Sequence, residues 1–368
     1  MTKPESTMML KKTGLSLLLL LALFSAAQAQ DDGFRYTEAS DLTLVGKLFP
    51  DTPNPYHRVD TAEYKGFTKG ENRQVRESSG IAVAFRTDSP SIRVRTRFGE
   101  KENPSNTMGI SASGYDLYIL RDGRWTWAGS GPRNAKFDDV TVVESMDGTM
   151  HECLLYLPTF SEELSVRVGV EEGAVLEASP NPFRWRIGIF GSSFTHGVST
   201  SRSGMTYPAQ FTRDTGIQLL SLGCSGNCKM QPYFADALAD APVDGFIFDT
   251  FSNPTEAQVL DRLFPFIERM TAAHPGKPLI FQRTIYRENR NFNTASASKE
   301  ESRIHLVDSL MAVACARYAD VYYILPDATS PEHDTSVDGI HPGDHGYALW
   351  ARSIEGPVLA ILRKYGMQ

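Results

Sequence analysis

Cysteine is scarce in this chain, with four residues in 368, at positions 153, 224, 228 and 315. So few thiols exclude a disulfide-built scaffold. Cys224 and Cys228 are near enough in sequence to bridge across a tight loop, or to sit as two small buried thiols. Alone they supply too few ligands for zinc. Lysine and arginine form no dense run, and 37 basic against 44 acidic residues leave a net charge of −7. A phosphate footprint is therefore missing, and no nucleic-acid partner is expected. No helical His-Glu-x-x-His pattern occurs, which removes the commonest zinc-hydrolase signature. The one long apolar stretch, Leu15 to Phe24, is too short to span a bilayer comfortably.

What is present is a globular composition. Hydrophobic residues make up 41% and charged residues 22%, enough apolar material to bury substantial cores. The length suits two domains. Lys11 and Lys12 precede the apolar stretch, and Ala27-Gln28-Ala29 follows it. A basic flank, a short apolar run and an A-x-A site predict a secretory signal peptide over residues 1–29, with a mature chain from about Gln30 in the periplasm or beyond. No cysteine lies beside that site to carry a lipid.

From about residue 35 to 180 the pattern is β. "GIAVAFRTDSPSIRVRTRF" (80–98) reads as two strands about a turn, and "YDLYILRDGRWTWAG" (115–129) as a hairpin turning at Arg121-Asp122-Gly123. "MHECLLYLP" and "LSVRVGVEEG" supply further strands, with no convincing amphipathic helix among them. An all-β sandwich or jelly-roll domain over 30–182 is expected. "ASPNPFRW" (178–185) reads as the linker. Beyond it, apolar strands at 186–190, 218–222, 245–250, 278–283 and 321–325 alternate with helical stretches near 206–215, 230–240, 255–273, 299–318 and 343–364. That alternation predicts an α/β domain over 183–368, with a parallel sheet flanked by helices. Reactive groups of such sheets lie beyond the carboxyl ends of the strands.

Four short blocks occupy such places: "GSSFT" (191–195), "SLGCSGN" (221–227), "FDTFSNP" (248–254) and "DGIH" (338–341). In that order they resemble the blocks of the SGNH, or GDSL-type, hydrolases, and more narrowly the two-domain bacterial members with an N-terminal β-sandwich. The resemblance implies a flavodoxin-like sheet and a serine ester hydrolase with no cofactor. Carried over position by position, it implies Ser193 as nucleophile, His341 as base and Asp338 as the carboxylate that orients the base. It implies an oxyanion hole from the Ser193 N–H, the Gly226 N–H and the Asn253 side-chain amide. Ser192 stands where the family usually has Asp, and Phe251-Ser252-Asn253-Pro254 keeps the Asn of the family's Gly-x-Asn-Asp but not its flanks.

Read without the family, a serine on a strand-to-helix turn is exposed to attack a carbonyl, though it also suits a helix cap. An Asp and a His three apart at the head of the last helix suit a base and its orienting partner, with Pro342 fitting the first turn. The Gly-x-Ser-x-Gly elbow of α/β-hydrolases is absent, because Thr195 fills its last place. His196 is expected to pack or edge the substrate. A metal reading of His333, Asp334, Asp338, His341, Asp344 and His345 explains none of the upstream blocks. In the polar loop 283–298, Arg283, Tyr286 and Arg287 are candidate substrate contacts. The whole predicts an exported esterase that releases small acyl groups, chiefly acetyl, from carbohydrate. A lipid or thioester hydrolase and a non-catalytic glycan-binding protein are the alternatives.

Overall fold

The computed structural model describes residues 32–132 and 137–368, and the expected signal peptide lies outside them. Among the described residues no helix is long and apolar enough to cross a membrane. The first half is antiparallel: β1 (Phe34–Glu38), β2 (Thr43–Val45), β3 (Ala82–Thr87), β4 (Ile92–Lys101), β5 (Tyr115–Arg121), β6 (Arg124–Gly131), β7 (Asp139–Val143), β8 (His151–Tyr156), β9 (Ser161–Glu171) and β10 (Leu176–Ala178). They form one sheet in the order β1-β9-β4-β7 and a second in the order β10-β3-β8-β5-β6, with β2 beside β3. The β5–β6 hairpin turns where expected, with Asp122 and Gly123 both in the left-handed region that two-residue hairpins require.

Alternation along the second sheet explains its two apolar faces. Val83 and Phe85 of β3, Leu117 of β5 and Leu155 of β8 point into the sandwich core with Val94, Val166 and Val168. Their neighbours Ala82, Ala84, Tyr118, Leu154 and Tyr156 point the other way and pack on Phe183 and Ala209 of the second half. A strand buried on both faces shows no polar alternation, which is why "CLLY" is unbroken.

Among the described residues, two α-helices interrupt the β half, against expectation. One is α1 (Lys69–Arg76) and the other is the single-turn α2 (Gly109–Ser113). Val75 is the lone apolar side chain buried by α1, so no apolar stripe announces the helix. Its signal is the reciprocal capping box of Thr68 and Glu71.

The second half runs β11 (Arg184–Gly191), α3 (Ser193–His196), α4 (Tyr207–Thr215), β12 (Ile217–Gly223), α5 (Pro232–Ala239), β13 (Gly245–Asp249), α6 (Glu256–Ala273), β14 (Leu279–Gln282), α7 (Thr294–Arg317), β15 (Val321–Ile324) and α8 (Asp344–Lys364). The strands lie in the order β12-β11-β13-β14-β15, all parallel. This is the flavodoxin-like order, whose switch point lies between its first and third strands, here β11 and β13. Phe190, Leu220, Phe246 and Phe248 bury one face with residues of α5, α6 and α7. Ile187, Ile189, Leu219 and Ile247 bury the other with Phe211, Tyr347 and Trp350 of α4 and α8.

Gly191 pairs with Gly223 on one side and with Asp249 on the other, so β11, β12 and β13 end level. Asp249 is fully buried there. One of its oxygens, Oδ2, accepts the Ser192 N–H at 3.2 Å, the Ser192 hydroxyl at 2.8 Å and the Thr195 hydroxyl at 2.9 Å. Burial raises its carboxyl to about 6, against the pull of the Ser192 and Thr195 hydrogen bonds and of Arg287.

Two outcomes are expected. A chain beginning near Phe183 uncovers Ala209 and the apolar contacts around it, and should melt lower or stay less soluble than a chain that keeps residues 32–182; equal thermal stability and full activity would contradict this. The second concerns pH. Asp249 binds its proton more readily folded than unfolded, so the wild type loses stability between about pH 4 and about 6. Asp249→Asn keeps an acceptor but does not titrate. Its melting temperature relative to wild type should therefore become more favourable as pH rises through that window, and a constant difference would refute the assignment.

Candidate active site

Ser193 opens α3 directly beyond the end of β11, and Ser192 caps that helix by accepting the Phe194 N–H at 3.2 Å. The Ser193 hydroxyl lies 2.9 Å from His341 Nε2, and His341 Nδ1 lies 2.8 Å from Asp338 Oδ2. The three side chains thus form one hydrogen-bonded series. Since Nδ1 faces a carboxylate, it carries the ring proton and leaves Nε2 as an acceptor for the serine hydroxyl. Asp338 also accepts the backbone N–H groups of Ile340 at 2.9 Å and His341 at 2.8 Å. Its remaining donor comes from the β half, the Asn106 amide at 2.7 Å. Burial alone raises the Asp338 carboxyl, but these hydrogen bonds outweigh it and hold the group well below the usual carboxylate range. The loop is pinned from outside: the Asn289 N–H donates to Gly339 O at 2.6 Å, and Glu288 accepts the N–H groups of Thr335 and Ser336 at 2.7 Å each. Gly343 caps α8, so Pro342 precedes the first helical turn rather than entering it.

Three donors stand at neighbouring strand ends. Gly226, in the turn after β12, has φ of 72°, a conformation that resists a side chain. Asn253 follows β13, and its Oδ1 accepts the Cys228 N–H at 3.2 Å, which leaves its NH2 directed elsewhere. Among the described residues, the N–H groups of Ser193 and Gly226 and the NH2 of Asn253 make no hydrogen bond. Arg287 and Arg303 both donate to Ser252 O and so brace the Asn253 loop. Chemically, such an array can take a proton from a serine and meet a developing oxyanion with unspent donors.

The other residues singled out in the sequence sit as follows. Arg287 lines an open groove of about 590 Å³ together with Asn253, Thr255, Lys299 and Arg303. Arg283 is committed to Asp308. Tyr286 stacks on His333 with ring centroids 3.8 Å apart and donates to Asn291 at 3.0 Å. His196 is fully buried and stacks on Phe160 with ring centroids 4.2 Å apart. Its Nε2 donates to Thr159 O at 2.8 Å, and its Nδ1 accepts the Ser225 N–H at 3.3 Å. Burial lowers its pKa against the opposing carboxylate of Glu77, so it serves as a neutral strut under the Gly226 turn. Cys224 and Cys228 are free, buried thiols. No group of three or more His, Cys, Asp or Glu residues among those described could hold a metal ion. Two residues that sequence reasoning missed are Asp249, under the serine turn, and Asn106, on Asp338. Asn106 has no local signature, since its partner lies 232 residues away.

Comparison with known proteins bears on the same geometry. A family model described as the N-terminus of SGNH-hydrolase-type esterases, named for a GxDLY pattern, matches residues 34–176. Gly114-Tyr115-Asp116-Leu117-Tyr118 supplies that pattern here. The model of the GDSL-like lipase/acylhydrolase family matches residues 184–359. A search of curated proteins gives no match. Among solved structures, a protein described as a GDSL-like lipase from Bacteroides ovatus is 33% identical, with a TM-score of 0.85 over 90% of this chain and 98% of that one. A salicylyl-acyltransferase from a tetracycline biosynthetic pathway shares the fold at 22% identity and TM-score 0.64, over 90% and 99% of the two chains. A family two carbohydrate esterase from Clostridium thermocellum, solved with cellohexaose, does so at 14% identity and TM-score 0.55, over 77% and 93%. The chain belongs to the SGNH, or GDSL-like, acylhydrolases, in the two-domain form that sets an antiparallel β half before the hydrolase sheet.

Proposed function

We propose that this protein is an exported serine esterase that removes small acyl groups, chiefly acetyl, from carbohydrate through an acyl-enzyme. The observation that carries the reading is the series Ser193–His341–Asp338, with contacts of 2.9 and 2.8 Å, beside three unspent donors. Ser193 Oγ attacks the ester carbonyl while His341 Nε2 takes its proton. Asp338 stabilises the imidazolium that forms. The N–H groups of Ser193 and Gly226 and the Asn253 amide receive the oxyanion. Collapse breaks the bond to the sugar oxygen, which leaves with the proton from His341. A water then repeats the sequence on the acyl-serine and releases the acid.

The structural likeness to a carbohydrate esterase and the β half ahead of the catalytic sheet support a glycan substrate. Export rests on the basic and apolar pattern of residues 1–29. On this reading the mature chain divides into a β domain over 30–182 and a hydrolase domain over 183–368. Arg287, which lines the groove beside Asn253 while pairing with Glu300, is the substrate contact retained from loop 283–298.

Ser193→Ala should abolish hydrolysis of a chromogenic acetyl ester. Ser192→Ala should keep much of it and lose about 1 kcal/mol of stability with the helix cap. His341→Ala should cost several orders of magnitude in kcat, and His345→Ala far less. Reversed effects of the two serine changes would place the nucleophile at 192. Acetate release across a panel of acetylated polysaccharides, set against longer-chain esters and thioesters, tests the substrate class; preference for the long chains would favour the lipid reading. Asn253→Ala should lower kcat by roughly a hundred- to a thousandfold with KM little changed. A loss of melting temperature without a loss of kcat would make Asn253 a turn residue only.

A further inference from the structure

We propose that Asn106, carried by the β half of the chain, is a positioning residue for acyl transfer: its amide fixes the carboxylate that orients His341. The proposal rests on reading Ser193, His341 and Asp338 as the catalytic series. Asp338 Oδ1 is held by two N–H groups of its own loop, those of Ile340 and His341. Oδ2 has two donors of different origin, the His341 ring at 2.8 Å and the Asn106 amide at 2.7 Å. Without the amide, the oxygen that faces the imidazole keeps a single partner. Oδ1 stays anchored on the two loop N–H groups, but Oδ2 is then held only by the ring it orients, so the carboxylate fixes the imidazole less tightly.

The segment that presents Asn106 is fastened to both halves. Thr107 N–H closes a turn on Pro104 O at 3.1 Å, which fixes the two residues between them. Thr107 Oγ1 accepts the Ser199 N–H at 3.0 Å, and Ser199 lies just past the end of α3. Glu102 N–H donates to Phe160 O at 2.8 Å, and the Phe160 ring stacks on His196, the last residue of α3. One β-domain segment therefore touches the carboxylate of the series and braces the short helix that begins with its nucleophile. That is the geometry of a fixed arm rather than of a chance surface contact.

The sign of the electrostatic effect follows. A hydrogen bond from Asn106 draws charge away from Oδ2 and tempers the pull of Asp338 on the imidazolium. Removing it leaves the protonated ring better stabilised, so the base gives up its proton at higher pH. Asn106→Asp goes further by adding a second negative charge beside the first. Among the described residues, the other charged or titratable groups near the pair are Glu288, which is fixed on the N–H groups of Thr335 and Ser336, and two residues of α8. Tyr347, raised far above its ordinary value by burial, stays neutral, and Asp344 is held by the Ser201 N–H at 2.9 Å. None of the three changes with residue 106.

The test uses the full mature chain and p-nitrophenyl acetate, with pH–rate profiles and melting temperatures for the wild type, Asn106→Ala, Asn106→Asp and Ser193→Ala. Asn106→Ala should lose roughly tenfold in kcat with KM little changed. Its acid limb of kcat/KM should move to higher pH, and that of Asn106→Asp further, by about one unit. Asn106 is partly exposed in a loop, so Asn106→Ala should melt near the wild type, which separates a positioning role from a folding artefact; Asn106→Asp, which sets a second carboxylate against Asp338, is read by its acid limb. Wild-type kcat and an unmoved acid limb in both variants, with Ser193→Ala inactive, would overturn the role of Asn106 and leave the series standing. Full activity in Ser193→Ala would overturn the series itself.

Discussion

The register of β11 between its two parallel neighbours governs the rest of the site. Gly191 is level with Gly223 on one side and Asp249 on the other. Three turns therefore leave the sheet at one height, carrying Ser193, Gly226 and Asn253. A slip of one residue on either side would exchange the two faces of that strand and break both apolar layers at once. The position of the donors is thus secured by Ile187, Ile189, Phe190, Leu220 and Phe248, which are buried in the two apolar layers. Catalytic geometry here is a by-product of packing the sheet.

A second constraint joins the halves through polar groups rather than apolar area alone. Asp116 and Arg202 pair across the boundary, with Gly204 N–H donating to the same carboxylate at 3.0 Å. Glu71 receives Gln231 and Tyr233, and Gln74 receives the Asn227 side chain at 2.9 Å. Ser79 donates to His196 O at 2.8 Å. Directional contacts of this kind specify one relative placement, whereas an apolar seam of equal area tolerates sliding. Residues 225–231 and the short α3 are thereby held from outside their own sheet.

Much of this was legible in the sequence, for physical reasons. The strands of the second half are buried on both faces, so they read as apolar runs of the right length, and the four blocks fall where those runs end. The hairpin at Asp122-Gly123 was legible because its turn needs positive φ. What stayed hidden depends on contacts distant along the chain. Asp249 reads as the polar end of a strand until the fold sets Ser192 and Thr195 against it. Asn106 and Asp338 meet only in three dimensions. The α1 helix escaped because Glu71 and Gln74 bury polar atoms against partners, which hydrophobic periodicity does not register. Arg283 and Tyr286 stood in a loop that suggested substrate contact, yet their polar atoms are spent on Asp308 and Asn291.

The two-faced sheet of the first half has a consequence for how the chain is made. Translation delivers that half first, with Ala82, Ala84, Tyr118, Leu154 and Tyr156 forming a greasy surface whose cover, Phe183 and Ala209, has yet to be synthesised. Until α4 has packed, the sandwich presents an adhesive flank to its surroundings. Folding of the early half is therefore completed by the late one, and a fragment ending between them would be suited to chaperone capture rather than stand as an independent module.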